Sequence, residues 1–72
     1  MTTIRIPETS YDVDLDQPAI DVVDDTYAAL RDEFSGDLDP DEIAFMAEEV
    51  ADALLSGRTH VIRSIYKSYG VL

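Results

Sequence analysis

Residues Asp39 to Gly57 contain the strongest helix signals in the sequence. Asp39 is suited to the N-cap, Pro40 stands at the first helical position, and Glu42 completes a capping box. Gly57 follows Ser56 at the place where a left-handed C-cap is required. The apolar residues repeat at helical spacing as one stripe: Ile43, Met46, Ala47, Val50 and Leu54. The segment predicts a helix over residues 40–56, against which the rest of the chain must pack.

The opposite face of this helix combines carboxylates with one aromatic side chain. Its acidic residues are Asp41, Glu42, Glu48, Glu49 and Asp52. Phe45 lies among them, away from the apolar stripe. Such an aromatic residue is either packed by another part of the chain or presented to a partner.

Two short segments near the N-terminus alternate apolar and polar residues, as half-buried strands do. They cover about residues 2–6, with Ile4 and Ile6, and about residues 10–15, with Tyr11, Val13 and Leu15. The turn-forming residues between them favour a β-hairpin with a connection of four or five residues. Its polar face would carry Asp12, Asp14 and Asp16. The alternative is an extended acidic arm that orders only on a partner.

A further amphipathic helix is predicted over about residues 17–35, with Asp16 as a candidate cap. Its inward stripe has heptad-like spacing: Ile20, Val23, Tyr27, Leu30 and Phe34. Asp21, Asp25 and Asp32 line the opposite face. Because heptad stripes pair helices, this stripe also makes a homodimer a possible assembly.

A last helix is predicted over about residues 59–69, with Gly70 as its stop. The resulting fold class is α+β, with a small N-terminal β-hairpin packed on three α-helices in one domain of residues 1–72. If the N-terminal segment is an arm, the alternative is an all-α domain of three helices.

The size and residue content of the chain argue against catalysis. A chain of 72 residues has little room for a deep cleft. It has no cysteine and one histidine, His60, and no serine stands in a nucleophile motif. No apolar run approaches the ~20 residues of a membrane span. The expectation is a non-enzymatic, soluble, cytoplasmic protein without a cofactor.

The charge of the chain is strongly negative and unevenly distributed. Sixteen acidic residues face five Lys and Arg, for a net charge of −11. All sixteen precede residue 58, so residues 1–57 carry −14 and residues 58–72 carry +3. Binding to bulk nucleic acid is therefore disfavoured. A salt-loving source would explain the same acidity as solvation.

The carboxylates fall into short rows on the predicted elements, and successive helix turns advance ~5.4 Å. This spacing is of the same order as the repeat of phosphates along a nucleic-acid strand. The predicted partner-binding residues are Asp12, Asp14, Asp21, Asp25, Asp32, Asp41, Phe45, Glu48, Glu49 and Asp52. The chain resembles in kind the small acidic inhibitors that phages direct against restriction, CRISPR and repair machinery. The leading prediction is thus a DNA mimic that blocks a basic surface, acting in the host cytoplasm if it is phage-encoded.

The C-terminal segment supports an alternative function. Residues 50–54, Gly57 and the apolar residues that follow resemble the pattern of a helix-turn-helix. This resemblance implies a small DNA-binding regulator of halophilic type that uses residues 58–67, with contacts from Arg58, His60, Arg63 and Lys67. The remaining alternative for these cations is that they pair with neighbouring carboxylates.

One spacing matches a calcium loop in part. Asp37, Asp39, Asp41 and Glu48 occupy its carboxylate positions. Glu42 replaces the glycine that the loop needs, and Pro40 begins a helix inside it. We therefore expect no metal site.

Overall fold

The structure is a computed structural model that describes residues 2–72. Its elements in chain order are strand β1 (Thr3–Arg5), strand β2 (Asp12–Asp14), helix α1 (Ala19–Phe34), helix α2 (Pro40–Leu55), a 3₁₀ turn (Thr59–Val61) and helix α3 (Ile62–Ser68). The predicted α+β class, a hairpin followed by three helices, is confirmed. Each regular element lies within its predicted span and is shorter than it.

The N-terminal segment is an antiparallel hairpin, not an extended arm. Ile4 pairs with Val13, and residues 6–11 connect the strands. Ile6 and Val13 are buried, as the alternation predicted. Tyr11 was expected on the same buried face, and this was wrong, because it is 44% exposed. It lies in the connection, where its carbonyl accepts from the Ile6 N–H (2.9 Å) and its own N–H donates to the Thr9 side chain (3.2 Å).

Helix α1 packs against both β2 and α2. Leu30 and Phe34 are buried as predicted, and Val23 and Tyr27 pack against the core from its edge. Ile20 was expected inside and is 71% exposed. Its place in the core is taken by a neighbouring set of smaller residues: Val22, Thr26 and Ala29. The buried face is therefore rotated from the heptad stripe, since α1 has neighbours on two sides and small side chains permit their close approach.

The start of α1 also differs from the prediction. The N-cap is Pro18, without a side-chain cap hydrogen bond, and not Asp16. The Asp16 carboxylate instead accepts a hydrogen bond from the Thr2 N–H (2.6 Å). This hydrogen bond joins the start of the hairpin to its end.

Helix α2 begins and ends as its sequence predicts. The Asp39 side chain accepts from the Glu42 N–H (2.8 Å), and the Glu42 side chain accepts from the Asp39 N–H (3.3 Å). At the other end Gly57 has φ +74°, and the Arg58 N–H donates to the Ala53 carbonyl (2.8 Å). This is a Schellman end, which requires the left-handed conformation that glycine adopts without strain.

Helix α3 closes the core and holds the hairpin in place. Its Ile62 and Tyr66 are fully buried. The Tyr66 ring lies 5.4 Å from that of Phe34, and its hydroxyl donates to the Pro7 carbonyl (2.7 Å). Within residues 2–72, no helix combines the length and the hydropathy that crossing a bilayer requires.

Candidate interaction surfaces

The outer face of α2, which we define as Asp41, Phe45, Glu48, Asp52 and Leu55, is solvent-exposed along its whole length. Phe45 is 64% exposed, so it is not packed by another part of the described chain. Leu55 is 42% exposed at the end of the helix. The core side of the same helix is buried from Ile43 to Leu54. The solvent-exposed side of helix α2 therefore carries two large apolar side chains, Phe45 and Leu55, among three carboxylates.

Two of the predicted contact carboxylates on α2 already have partners inside the chain. An Nη2 atom of Arg58 lies 3.1 Å from Asp52 Oδ2. The Tyr69 hydroxyl donates to Glu49, and this hydrogen bond, with lesser contributions from burial and nearby carboxylates, raises the pKa of Tyr69 to about 12.

Asp41 and Glu48 differ from these two. Neither side chain makes a hydrogen bond or an ion pair among the residues that the structure describes. They stand one turn before and one turn after Phe45. The two carboxylates of the outer face of α2 that pair with no cation among the described residues thus flank its aromatic residue.

A second surface is the groove between the hairpin and α1. The groove has a volume of about 450 Å³ and is lined by Tyr11, Asp12, Asp25, Ala28, Ala29, Arg31 and Asp32. It unites one carboxylate from the predicted strand row with two from the α1 row. The structure therefore joins two acidic rows that the sequence showed separately.

The groove carboxylates are tied to neighbouring groups. Tyr11 donates its hydroxyl to Asp32 (2.7 Å), and this hydrogen bond is the main cause of the raised pKa of Tyr11. Asp12 pairs with Arg5 at 2.9 Å, and Asp25 accepts from the Gln17 amide at 2.8 Å. Because each contact is exposed, each contributes little stability. Together they fix the positions of the carboxylates.

Asp14 and Asp21 do not line the groove. Asp14 is half-buried and accepts from the Asp16 N–H (2.9 Å), so it shapes the turn after β2. Asp21 is exposed in the first turn of α1, where a carboxylate interacts favourably with the helix dipole. These two predicted contact residues have local structural roles.

The four predicted nucleic-acid contacts do not share one helix. Arg58 precedes the 3₁₀ turn and His60 lies within it, while Arg63 and Lys67 lie on α3. Arg58 pairs with Asp52, and Arg63 Nη1 lies 3.3 Å from Glu8 Oε1 in the hairpin connection. Two of these four residues, Arg58 and Arg63, thus pair with carboxylates of the chain, as the alternative for these cations predicted.

The positions that match a calcium loop do not form a loop, since Asp37 lies in the turn before α2 and the others lie at the N-cap of the helix or within it. Asp39 is occupied as the N-cap of α2, and Asp41 and Glu48 lie on its outer face. Within residues 2–72 no three His, Asp or Glu residues are grouped as a metal site requires.

Sequence reasoning missed three participants in these surfaces: Leu55 on α2, and Tyr11 and Arg31 at the groove. Phe45, Glu48, Asp52 and Leu55 are spaced by three, four and three residues, which places them on one side of a helix. This spacing could have identified Leu55 from the sequence. Tyr11 and Arg31 line the same groove only because the hairpin docks on α1, which no local pattern encodes.

No family model, curated protein or solved structure matches this chain.

Proposed function

We propose that this chain is a non-enzymatic interaction protein that inhibits a nucleic-acid-handling protein by covering its basic surface. The partner is a component of the restriction, CRISPR or repair class, whose basic surface otherwise binds phosphates. No cofactor takes part. The site of action is the cytoplasm, or the host cytoplasm if the protein is phage-encoded.

One observation carries this proposal: the fold exposes its acidic side chains while it pairs arginines internally. Of the sixteen acidic residues, fifteen are exposed and Asp14 is half-buried. Arg5, Arg58 and Arg63 each lie within 4 Å of a carboxylate of this chain. The positive C-terminal segment is therefore largely compensated by its own fold, and the surface that a partner meets is negative.

A negative surface favours a basic protein over a nucleic acid. Long-range attraction accelerates association with a basic partner, and a bound acidic body repels the phosphates that compete for the same surface. The same field repels DNA, and two of the four candidate DNA contacts are paired with carboxylates. The geometry supports the inhibitor better than the regulator.

A displacement assay tests the proposal. Labelled duplex DNA is bound to a purified restriction endonuclease, a CRISPR effector and a repair glycosylase in turn, and this protein is titrated in. We expect release of DNA from at least one of them at about 0.1 M NaCl and weaker release at about 1 M, where the Debye length falls to ~3 Å.

Two results would overturn the proposal. The first is the absence of displacement from every member of the panel. The second is direct binding of this protein to the labelled DNA alone, seen as a gel shift, which would favour the DNA-binding regulator.

A further inference from the structure

The outer face of α2 is an uncovered helix surface with two apolar anchors. Phe45, Glu48, Asp52 and Leu55 follow one another at steps of three, four and three residues, so they form one stripe on the exposed side. Phe45 is 64% and Leu55 42% exposed. Leu55 is ten positions after Phe45, which corresponds to ~15 Å along the axis at ~1.5 Å per residue.

Phe45 is of a kind that stabilises protein interfaces when it is covered. An aromatic side chain buries about 150–250 Å² and has few rotatable bonds, so little entropy is lost when it is fixed. The exposed anchors add nothing to the core of the chain, to which the opposite side of α2 already supplies seven buried residues.

The charges on this face identify the chemistry of the occupant. Asp41 and Glu48 stand on either side of Phe45 without a partner among the described residues, while Asp52 is compensated by Arg58. A complementary surface therefore places Lys or Arg beside the pocket for Phe45. The pocket for Leu55 needs fewer cations, since Arg58 stands close to that end.

The same charges disfavour two other occupants. A second copy of this chain in a face-to-face dimer would bring Asp41 and Glu48 against like charges, which is unfavourable. Nucleic acid would place phosphates against them. The heptad-like stripe of α1 offers no second dimer surface, because only Ile20 of that stripe is exposed.

We propose that the outer face of α2 docks into a cationic protein surface with two apolar pockets about 15 Å apart, one for Phe45 and one for Leu55. Lysine or arginine side chains of the partner pair with Asp41 and Glu48. The inference rests on the proposed function and adds the interface through which it acts. The groove between the hairpin and α1 lies outside this interface.

The test uses a synthetic partner, so that it does not depend on identifying the natural one. The probe is a 14-residue amphipathic helical peptide of leucine and lysine, titrated into the isotopically labelled full chain. Amide chemical shifts locate the contact. We expect the largest shifts at residues 41–55, and no comparable shifts from a lysine-only peptide of equal charge, which lacks apolar side chains.

Matched variants separate the anchors from general effects. Phe45→Ala should weaken peptide binding at least tenfold, as an interface anchor does, whereas Ile20→Ala removes a similarly exposed apolar side chain on α1 and should have little effect. Glu48→Lys should weaken binding more than Asp37→Lys, although both change the net charge equally. Circular dichroism confirms that each variant is folded.

Several outcomes would overturn the inference: no binding of the peptide, shifts centred on Asp12, Asp25 and Asp32, or equal losses in Phe45→Ala and Ile20→Ala. Failure here is distinguishable from failure of the proposed function. If DNA is displaced from a partner but Phe45→Ala displaces it equally well, the interface is wrong and the function stands. If the peptide binds residues 41–55 but no DNA is displaced from the panel, the interface stands and the function is wrong.

Discussion

Substitution of Tyr66 by phenylalanine tests the contact that joins the two ends of the fold. The Tyr66 hydroxyl donates to the Pro7 carbonyl (2.7 Å), across 59 residues of sequence. Tyr66→Phe removes this hydrogen bond and retains the ring, which packs 5.4 Å from Phe34. The variant therefore isolates the hydrogen bond from the packing of the core.

The expected loss follows from the burial of the donor. A hydrogen bond of this kind contributes about 1 kcal/mol to the free energy of unfolding, and an acceptor left unpaired adds to the loss. For a chain of 72 residues the unfolding entropy is about 0.15 kcal/mol/K. Tyr66→Phe should then lower the Tm by about 7 °C.

The matched control is Tyr11→Phe, which removes an exposed hydrogen bond, that from Tyr11 to Asp32. Its Tm should fall much less, because water replaces the lost partner. Thermal unfolding followed by circular dichroism measures both variants. Equal Tm values for Tyr66→Phe and the parent, or an equal fall in both variants, would refute the reasoning.

Three further predictions concern stability. Burial, followed by the charges of Glu8 and Glu33, raises the pKa of Tyr66 above its ordinary value of 10.0. The Tyr66 hydroxyl therefore ionises at lower pH in the unfolded chain than in the folded one, so the Tm should fall as the pH rises above about 10. The Tm of Tyr66→Phe should fall less over the same range, and parallel curves of Tm against pH for the variant and the parent would contradict this. Gly57→Ala should lower the free energy of unfolding by about 1 kcal/mol, because Gly57 has φ +74°. Gly36 lacks that constraint, so Gly36→Ala should leave the free energy of unfolding unchanged or raise it. Urea titrations measure both variants. Since the net charge is −11, the Tm should rise between about 0.01 M and about 1 M NaCl; a fall would indicate that ion pairs outweigh repulsion.

Local signals were sufficient to predict α2. Its capping box and its glycine end depend on side chains within a few residues of one another, and they are found where the sequence places them. The same holds for the alternation that buries Ile6 and Val13. Such features require no knowledge of the tertiary fold.

The face of α1 could not be predicted in the same way. Ile20 is the first residue of the apolar stripe in the sequence, but its side chain is exposed in the structure. Thr26 is polar and yet buried, and its hydroxyl donates to the Val22 carbonyl (2.7 Å). Which side of a helix is buried depends on where its neighbours dock. The hairpin docks through contacts such as Tyr66 to Pro7, which no sequence period reveals.

The interaction surfaces were predictable in part. The sequence identified Phe45 and its carboxylates but left open whether the ring was packed. It could not show that Asp52 is paired with Arg58, or that Asp12 shares a groove with Asp25 and Asp32. These pairings require the relative positions of separate elements.

The most direct test of the account compares Phe45→Ala with the parent in the DNA-displacement assay, on whichever nucleic-acid-handling protein responds. We predict inhibition weakened at least tenfold with an unchanged Tm, since an exposed anchor contributes to binding and not to the core. Full inhibition by Phe45→Ala would contradict the assignment of the outer face of α2 as the contact surface. Loss of folding would contradict it as well, because Phe45 would then belong to the core.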